Sequence, residues 1–115
     1  MAVLNNKKLN YSNVHIVLEA GPTHNGLASA KKLVDKAAES GADSIKFQNI
    51  DADRLMADKS IEFEYSILEK SLDGKLTYTP FKEPLYDILK RRELNKKEWI
   101  ELKSHADKKG IHFFT

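Results

Sequence analysis

The sequence predicts an α/β chain of parallel βα units, with about three strands and the helices that connect them. Three observations carry this reading. Two short apolar, β-branched runs, VHIVLEA (residues 14–20) and ADSIKFQNI (residues 42–50), flank a stretch of helical periodicity that stops at a glycine. A second helical stretch, NKKEWIELKSHADKKG (residues 95–110), leads into a third apolar run, IHFFT. Strands that are apolar almost throughout, rather than alternating, are those buried on both faces, as in parallel sheets.

Each element has its own justification. Residues 5–13 are polar and read as a lead-in. The first strand ends in Glu19 and Ala20 and breaks into the loop GPTHNG. In the helix that follows, Leu27, Ala30, Leu33, Val34, Ala37 and Ala38 form one apolar stripe, and Lys31, Lys32, Asp35, Lys36 and Glu39 the opposite face. His24 and Asn25 serve as turn and helix-start chemistry, Asn25 being a good N-cap type. Gly41 suits the left-handed residue that closes a helix. Strand, helix, glycine turn and strand make a βαβ unit.

Residues 51–83 give less regular signals. SIEFEYSILEKSL (residues 60–72) is expected as a short helix and DGKLTYTPFKEP (residues 73–84) as a loop. LYDILKRREL (residues 85–94) has helical spacing. Asn95 with Glu98 three residues on fits a capping box, Gly110 fits the stop, and Trp99 is expected in the core. The third strand is the last element, and three parallel strands alone leave two bare edges. The order therefore reads as the opening part of something larger.

Composition narrows the function classes. Apolar residues make up 41% of the 115, enough for a core, and charged residues 31%. No apolar run reaches transmembrane length and the first residues lack a signal-peptide core, so a cytoplasmic location is expected. The absence of cysteine excludes disulfides and thiolate metal sites. Nineteen basic against 17 acidic residues, a net charge of +2, do not point to nucleic acid, and no RNP or zinc-finger pattern is present. The cations of LKRRE (residues 89–93) read as a solvated helix end.

The strand ends carry the chemistry. In βα folds ligands sit beyond the carboxyl ends of the strands. Lys46 and Gln48 are two residues apart and share a face, while Ile45 and Phe47 take the other, where helices pack. A lysine there is a cation for phosphate or carboxylate. A glutamine beside it both donates and accepts hydrogen bonds. Glu19 on the neighbouring strand can hold hydroxyls or act as acid or base. The set suits a polyhydroxylated, anionic substrate pair. The alternative is that Glu19 and Lys46 simply form an ion pair within the sheet.

These residues bear a family resemblance. VLEAGPTHNG, AKKLVDKAAESGADSIKFQ and LYDILKRRELNKKEWIELKSHADKKGIHFFT are similar to the N-terminal part of the sialic acid (nonulosonic acid) synthases. Those enzymes carry an E-x-G-x-N-H-N-G-like loop, then a K-F-Q strand, then a KGI-x-F strand. The resemblance implies the first βα units, about three strands, of a (β/α)8 TIM barrel. The later barrel strands and a small antifreeze-like domain are expected to be absent from residues 1–115. It also implies condensation of phosphoenolpyruvate with an N-acetylmannosamine-type sugar, giving a nonulosonic acid and phosphate. A divalent metal, Mn2+ or Mg2+, and a homodimer are implied for the complete enzyme.

Residue by residue, Glu19 matches the glutamate that contacts the sugar and Lys46 the lysine that contacts phosphoenolpyruvate, which makes these two the catalytic candidates. Gln48 matches the glutamine of K-x-Q on the sugar side, and Thr115 stands one residue before a phosphate-binding threonine. The chain departs from the pattern at Pro22-Thr23 and at Asn49, and TPF at residues 79–81 is read as a coincidence. The family's two histidine metal ligands lie on later strands, and His15, His24, His105 and His112 do not occupy their places, so no metal ligand is assigned here. A complete barrel takes roughly 250 residues, so the 115-residue chain is expected to be inactive alone. The alternative function is a non-catalytic binding or self-associating module of the same ancestry. A flavodoxin-like regulator would need an acidic cluster at the strand ends, and the chain offers one glutamate and a lysine.

Overall fold

The computed structural model describes residues 14–115, with the backbone of two dipeptide strands, β1 (Val3–Leu4) and β2 (Lys7–Lys8), paired antiparallel. The lead-in expected over residues 5–13 lies largely outside the described residues. The chain divides into two compact units, residues 1–50 with 92–115 and residues 51–91. After β1 and β2, the first unit carries β3 (Val17–Gly21), α1 (Leu27–Glu39) and β4 (Ser44–Phe47). The second carries α2 (Ala52–Leu55), β5 (Glu62–Lys70), β6 (Leu76–Pro84) and α3 (Leu85–Lys90). The chain then returns to the first unit with α4 (Lys96–Lys108) and β7 (His112–Phe114).

The first unit is a three-stranded parallel sheet in the order β3-β4-β7, so spatial order follows chain order. Both helices lie on one face. Ala30, Val34 and Ala37 of α1 and Leu102 and Ala106 of α4 form a single core with Ile45 and Phe47 of β4. Sequential strands with every helix on one side are the start of a barrel; a doubly wound sheet would place helices on both faces. Glu101 pairs with Lys31, and His105 and Lys109 with Asp35, binding α4 to α1 at the surface.

Both helices stop by the same device. Gly41 (φ 78°) donates to the Ala38 carbonyl and Ala42 to that of Ala37; Gly110 (φ 70°) donates to Asp107 and Ile111 to Ala106. These are Schellman closures, with the glycine left-handed and the next residue apolar. The start of α4 is the capping box expected from Asn95 and Glu98: the Asn95 side chain accepts from the Lys97 and Glu98 amides, and the Glu98 carboxylate from the Asn95 amide at 2.8 Å. Asn95→Ala is expected to destabilise the chain by about 1 kcal/mol, read as a lower urea midpoint at unchanged slope. The start of α1 differs from expectation. Its N-cap is Gly26 (φ 100°), which makes no side-chain cap, so Asn25 stands one residue too early to cap.

The second unit corrects the reading of residues 60–84. Instead of a helix and a loop, β5 and β6 form a nine-residue antiparallel hairpin from Glu62↔Pro84 to Lys70↔Leu76. Ile61, Tyr65, Leu68 and Leu72 have helical spacing, while Phe63, Tyr65 and Ile67 alternate with polar residues. Non-local pairing decides for the strand. The turn is closed by Gly74 (φ 84°), whose amide donates to the Ser71 carbonyl, and by Ser71 donating to Lys75. Two of the LKRRE cations are held locally: Lys90 reaches Asp53 at 2.8 Å, and Arg91 forks onto Glu83 at 2.6 and 2.7 Å.

Candidate functional site

The sheet has one covered and one open face. Parallel neighbours in register share a face, so the open one carries Val17, Ser44 and His112 in one row and Glu19, Lys46 and Phe114 in the next. Ile45 and Phe47 are buried on the helix side, as the alternation predicts. The lower row is tied by a 2.6 Å contact between His15 Nε2 and the buried Ser44 hydroxyl. Asp43 accepts from the Ile16 amide at 2.9 Å and so registers the entry of β3 against β4.

The upper row brings two candidates together. Lys46 Nζ lies 2.7 Å from Glu19 Oε2, with the side chains 36% and 53% exposed. Ion pairs that wet are worth no more than about 1 kcal/mol. The pair is therefore dispensable for folding and open to displacement by a ligand of either charge. The ion-pair geometry raised as the alternative reading is present, and its exposure leaves both groups accessible.

Glu19 is placed by a backbone irregularity. The β3–β4 register shifts between Glu19 and Gly21, and Gly21 is left-handed (φ 51°). A Cβ on Gly21 would stand 3.3 Å from Glu19 Oε1, so a side chain there would strain the backbone and crowd the carboxylate. The E-x-G signal in the sequence thus has a steric cause. Thr23 completes the turn, its amide and hydroxyl both donating to the Ala20 carbonyl at 3.2 and 2.8 Å.

His24 is fully buried, its ring edge-on to Phe47 with centroids 5.8 Å apart. Its Nδ1 accepts from the Gly26 amide at 3.4 Å, which is the helix-start role expected of it, and puts the ring proton on Nε2. Burial, with the Arg92 charge second, lowers its pKa below the ordinary histidine value. The unfolded chain then binds the proton more readily than the folded one. Stability from this group is complete above the unfolded histidine pKa and is lost as pH falls through the lowered value. The melting temperature is expected to drop by several degrees between pH 7 and pH 5, and His24→Gln to drop less over the same interval.

The other two candidates follow the ends of β4 and β7. Gln48 is exposed immediately beyond β4. Thr115, exposed beyond β7, lines with Asn49, Leu94, Trp99 and Phe113 an open groove of about 550 Å³. Trp99, expected in the core, packs against that core but stays half-buried at this groove. Among the described residues no three His, Asp or Glu side chains converge, so they offer no metal cage. Among them, too, no helix is long and apolar enough to cross a membrane.

Comparison with known proteins bears on the family and the fold. The NeuB family model matches residues 33–115. An N,N'-diacetyllegionaminic acid synthase of Legionella pneumophila is 37% identical over 101 residues, covering 87% of this chain and 26% of the relative. The N-acetylneuraminate-9-phosphate synthase of Drosophila melanogaster is 29% identical over 101 residues, covering 87% of this chain and 24% of that one. The crystal structure of N-acetylneuraminic acid (sialic acid) synthetase from Leptospira borgpetersenii serovar Hardjo-bovis, in complex with citrate, superposes with a TM-score of 0.68 at 29% identity. It covers 98% of this chain and 32% of its own. The chain thus spans about a quarter of the length of the curated relatives it matches.

Proposed function

The chain belongs to the NeuB family, and from that premise we propose that it supplies one sector of the active site of a nonulosonic acid synthase. The reaction joins C3 of phosphoenolpyruvate to the aldehyde carbon of an N-acetylmannosamine-type sugar. Water adds at C2, and phosphate leaves with cleavage of its C–O bond. Lys46 receives the negative charge of phosphoenolpyruvate, Glu19 holds sugar hydroxyls, and Gln48 hydrogen-bonds on the sugar side. Thr115, which lines the helix-side groove away from the pair, is given no part in this reaction.

One observation carries the reading: an anion and a cation stand 2.7 Å apart, half-exposed, near the carboxyl ends of adjacent parallel strands, on the face no helix covers. In a barrel that face is the lumen and that end the site. The divalent ion proposed for the complete enzyme is assigned no ligand among the described residues, where no three His, Asp or Glu side chains converge. The complete enzyme is proposed as a cytoplasmic homodimer.

The test is a coupled phosphate-release assay with phosphoenolpyruvate and a panel of N-acetylated hexosamines, on the complete synthase and on residues 1–115 alone. The complete synthase is expected to release phosphate only with both substrates, with a nonulosonic acid found by mass spectrometry. Residues 1–115 are expected to release none above the no-sugar control. Release without sugar, or none from the complete protein, contradicts the proposal. The alternative function, a self-associating module, is favoured instead if the complete protein is inert and residues 1–115 form a defined oligomer.

A further inference from the structure

We propose that the β5–β6 hairpin pairs with the same hairpin of a second copy, edge to edge through β5, independently of the synthase reaction. The hairpin has two unlike edges. Pro80 opposite Ser66 and Pro84 opposite Glu62 have no amide to give, so these are non-hydrogen-bonded pairs. The flanking bonds agree: Ser71 donates to Lys75 and Leu85 to Ile61, which sets odd-numbered residues as the bonded pairs. Backbone groups of the even-numbered residues therefore point outward on both strands. On β6 the outward edge is broken by its two prolines, the usual protection of an edge strand. On β5 it runs unbroken through Glu62, Glu64, Ser66, Leu68 and Lys70. Among the described residues no strand pairs with that edge.

The residues on β5 complement themselves. Set antiparallel about Ser66, two copies overlap along all nine residues. Even then faces even, giving roughly ten inter-copy hydrogen bonds. Glu62, held at 2.6 Å by Lys82 of its own hairpin, comes opposite Lys70 of the second copy, twice by symmetry. On the other face Tyr65 meets Ile67, extending the stack in which Phe63, Tyr65 and Phe81 lie 6.1 and 5.8 Å apart. Phe63 and Ile67 are 49% and 41% exposed, and Leu68 50%. A shallow concavity of about 310 Å³ around Ser66, lined by Glu64, Pro80 and Lys82, sits where Leu68 of the second copy arrives. A lone two-stranded hairpin is marginal in water, and a four-stranded sheet is not.

The test uses the whole 115-residue chain, which has no cysteine. In the proposed dimer the two Ser66 Cα atoms lie about 5.5 Å apart and the two Asp73 tips roughly 45 Å apart. Ser66→Cys is expected to form covalent dimers with a short bismaleimide, and Asp73→Cys none. Sedimentation should show a wild-type dimer and a Ser66→Pro monomer with an unchanged far-ultraviolet spectrum, since the Ser66 amide takes no part in β5–β6 pairing. Lys70→Glu, which sets two glutamates opposite each other across the seam, should weaken association roughly tenfold. Equal cross-linking at both sites, cross-linking at neither, or an unchanged mass for Ser66→Pro would overturn the proposal.

Discussion

Replacing Lys46 by alanine is expected to lower kcat/KM for phosphoenolpyruvate at least about a hundredfold in the complete synthase, the scale of losing a charged group at a reacting anion. The same change should alter unfolding free energy by less than about 1 kcal/mol, because the Lys46–Glu19 pair is a wet one. This contrast separates the two readings of the pair. A structural ion pair predicts the reverse, with a measurable loss of stability and little loss of rate. Lys46→Arg should recover only part of the activity, since a planar fork does not replace a compact ammonium. Wild-type kinetics in Lys46→Ala would remove the lysine from the site.

Phe47→Ala should have the largest effect on the fold. Phe47 is fully buried and is the ring on which three others meet, with centroids 5.8 Å from His24, 6.3 Å from Trp99 and 5.6 Å from Phe113. Truncating a buried aromatic costs about 3–5 kcal/mol, against a total of about 5–15 kcal/mol for an ordinary domain. Urea unfolding should show a collapsed transition or none. A loss below about 1 kcal/mol would mean that these rings do not organise the core. The position also bears on the site, because Phe47 follows Lys46 and fixes which face of β4 the lysine takes.

The parallel unit was legible because its signals are local and agree with one another. The stripe of α1, the Asn95 box and the glycine closures at Gly41 and Gly110 each have one short-range cause. The alternation in β4 was legible for the same reason: period 2 in a strand sends Lys46 one way and Ile45 and Phe47 the other. The hairpin was not legible. Its residues satisfy both periods, and Pro80 and Pro84 argue against a strand unless it is known that their missing amides face outward. The helix start was misjudged by one residue, because Gly26 reaches a backbone conformation from which Asn25 cannot cap. Within the site, the sequence pointed to Glu19 and Lys46 together. That Thr115 sits with Asn49 at the helix-side groove follows the same alternation, which puts Thr115 with Phe113 and Asn49 with Phe47, away from Lys46 and Phe114.

Both substrates are assigned to one ion pair, so the most direct test is whether the two groups divide them. Steady-state kinetics of Glu19→Gln in the complete synthase, with each substrate varied at saturation of the other, asks this. Gln keeps the volume and one acceptor and removes the charge. The expected result is a KM for the amino sugar raised about tenfold or more, with KM for phosphoenolpyruvate within about twofold of wild type. Equal changes in both KM values, or none in either, would contradict the assignment of Glu19 to the sugar and with it the reading of this strand end as the substrate site.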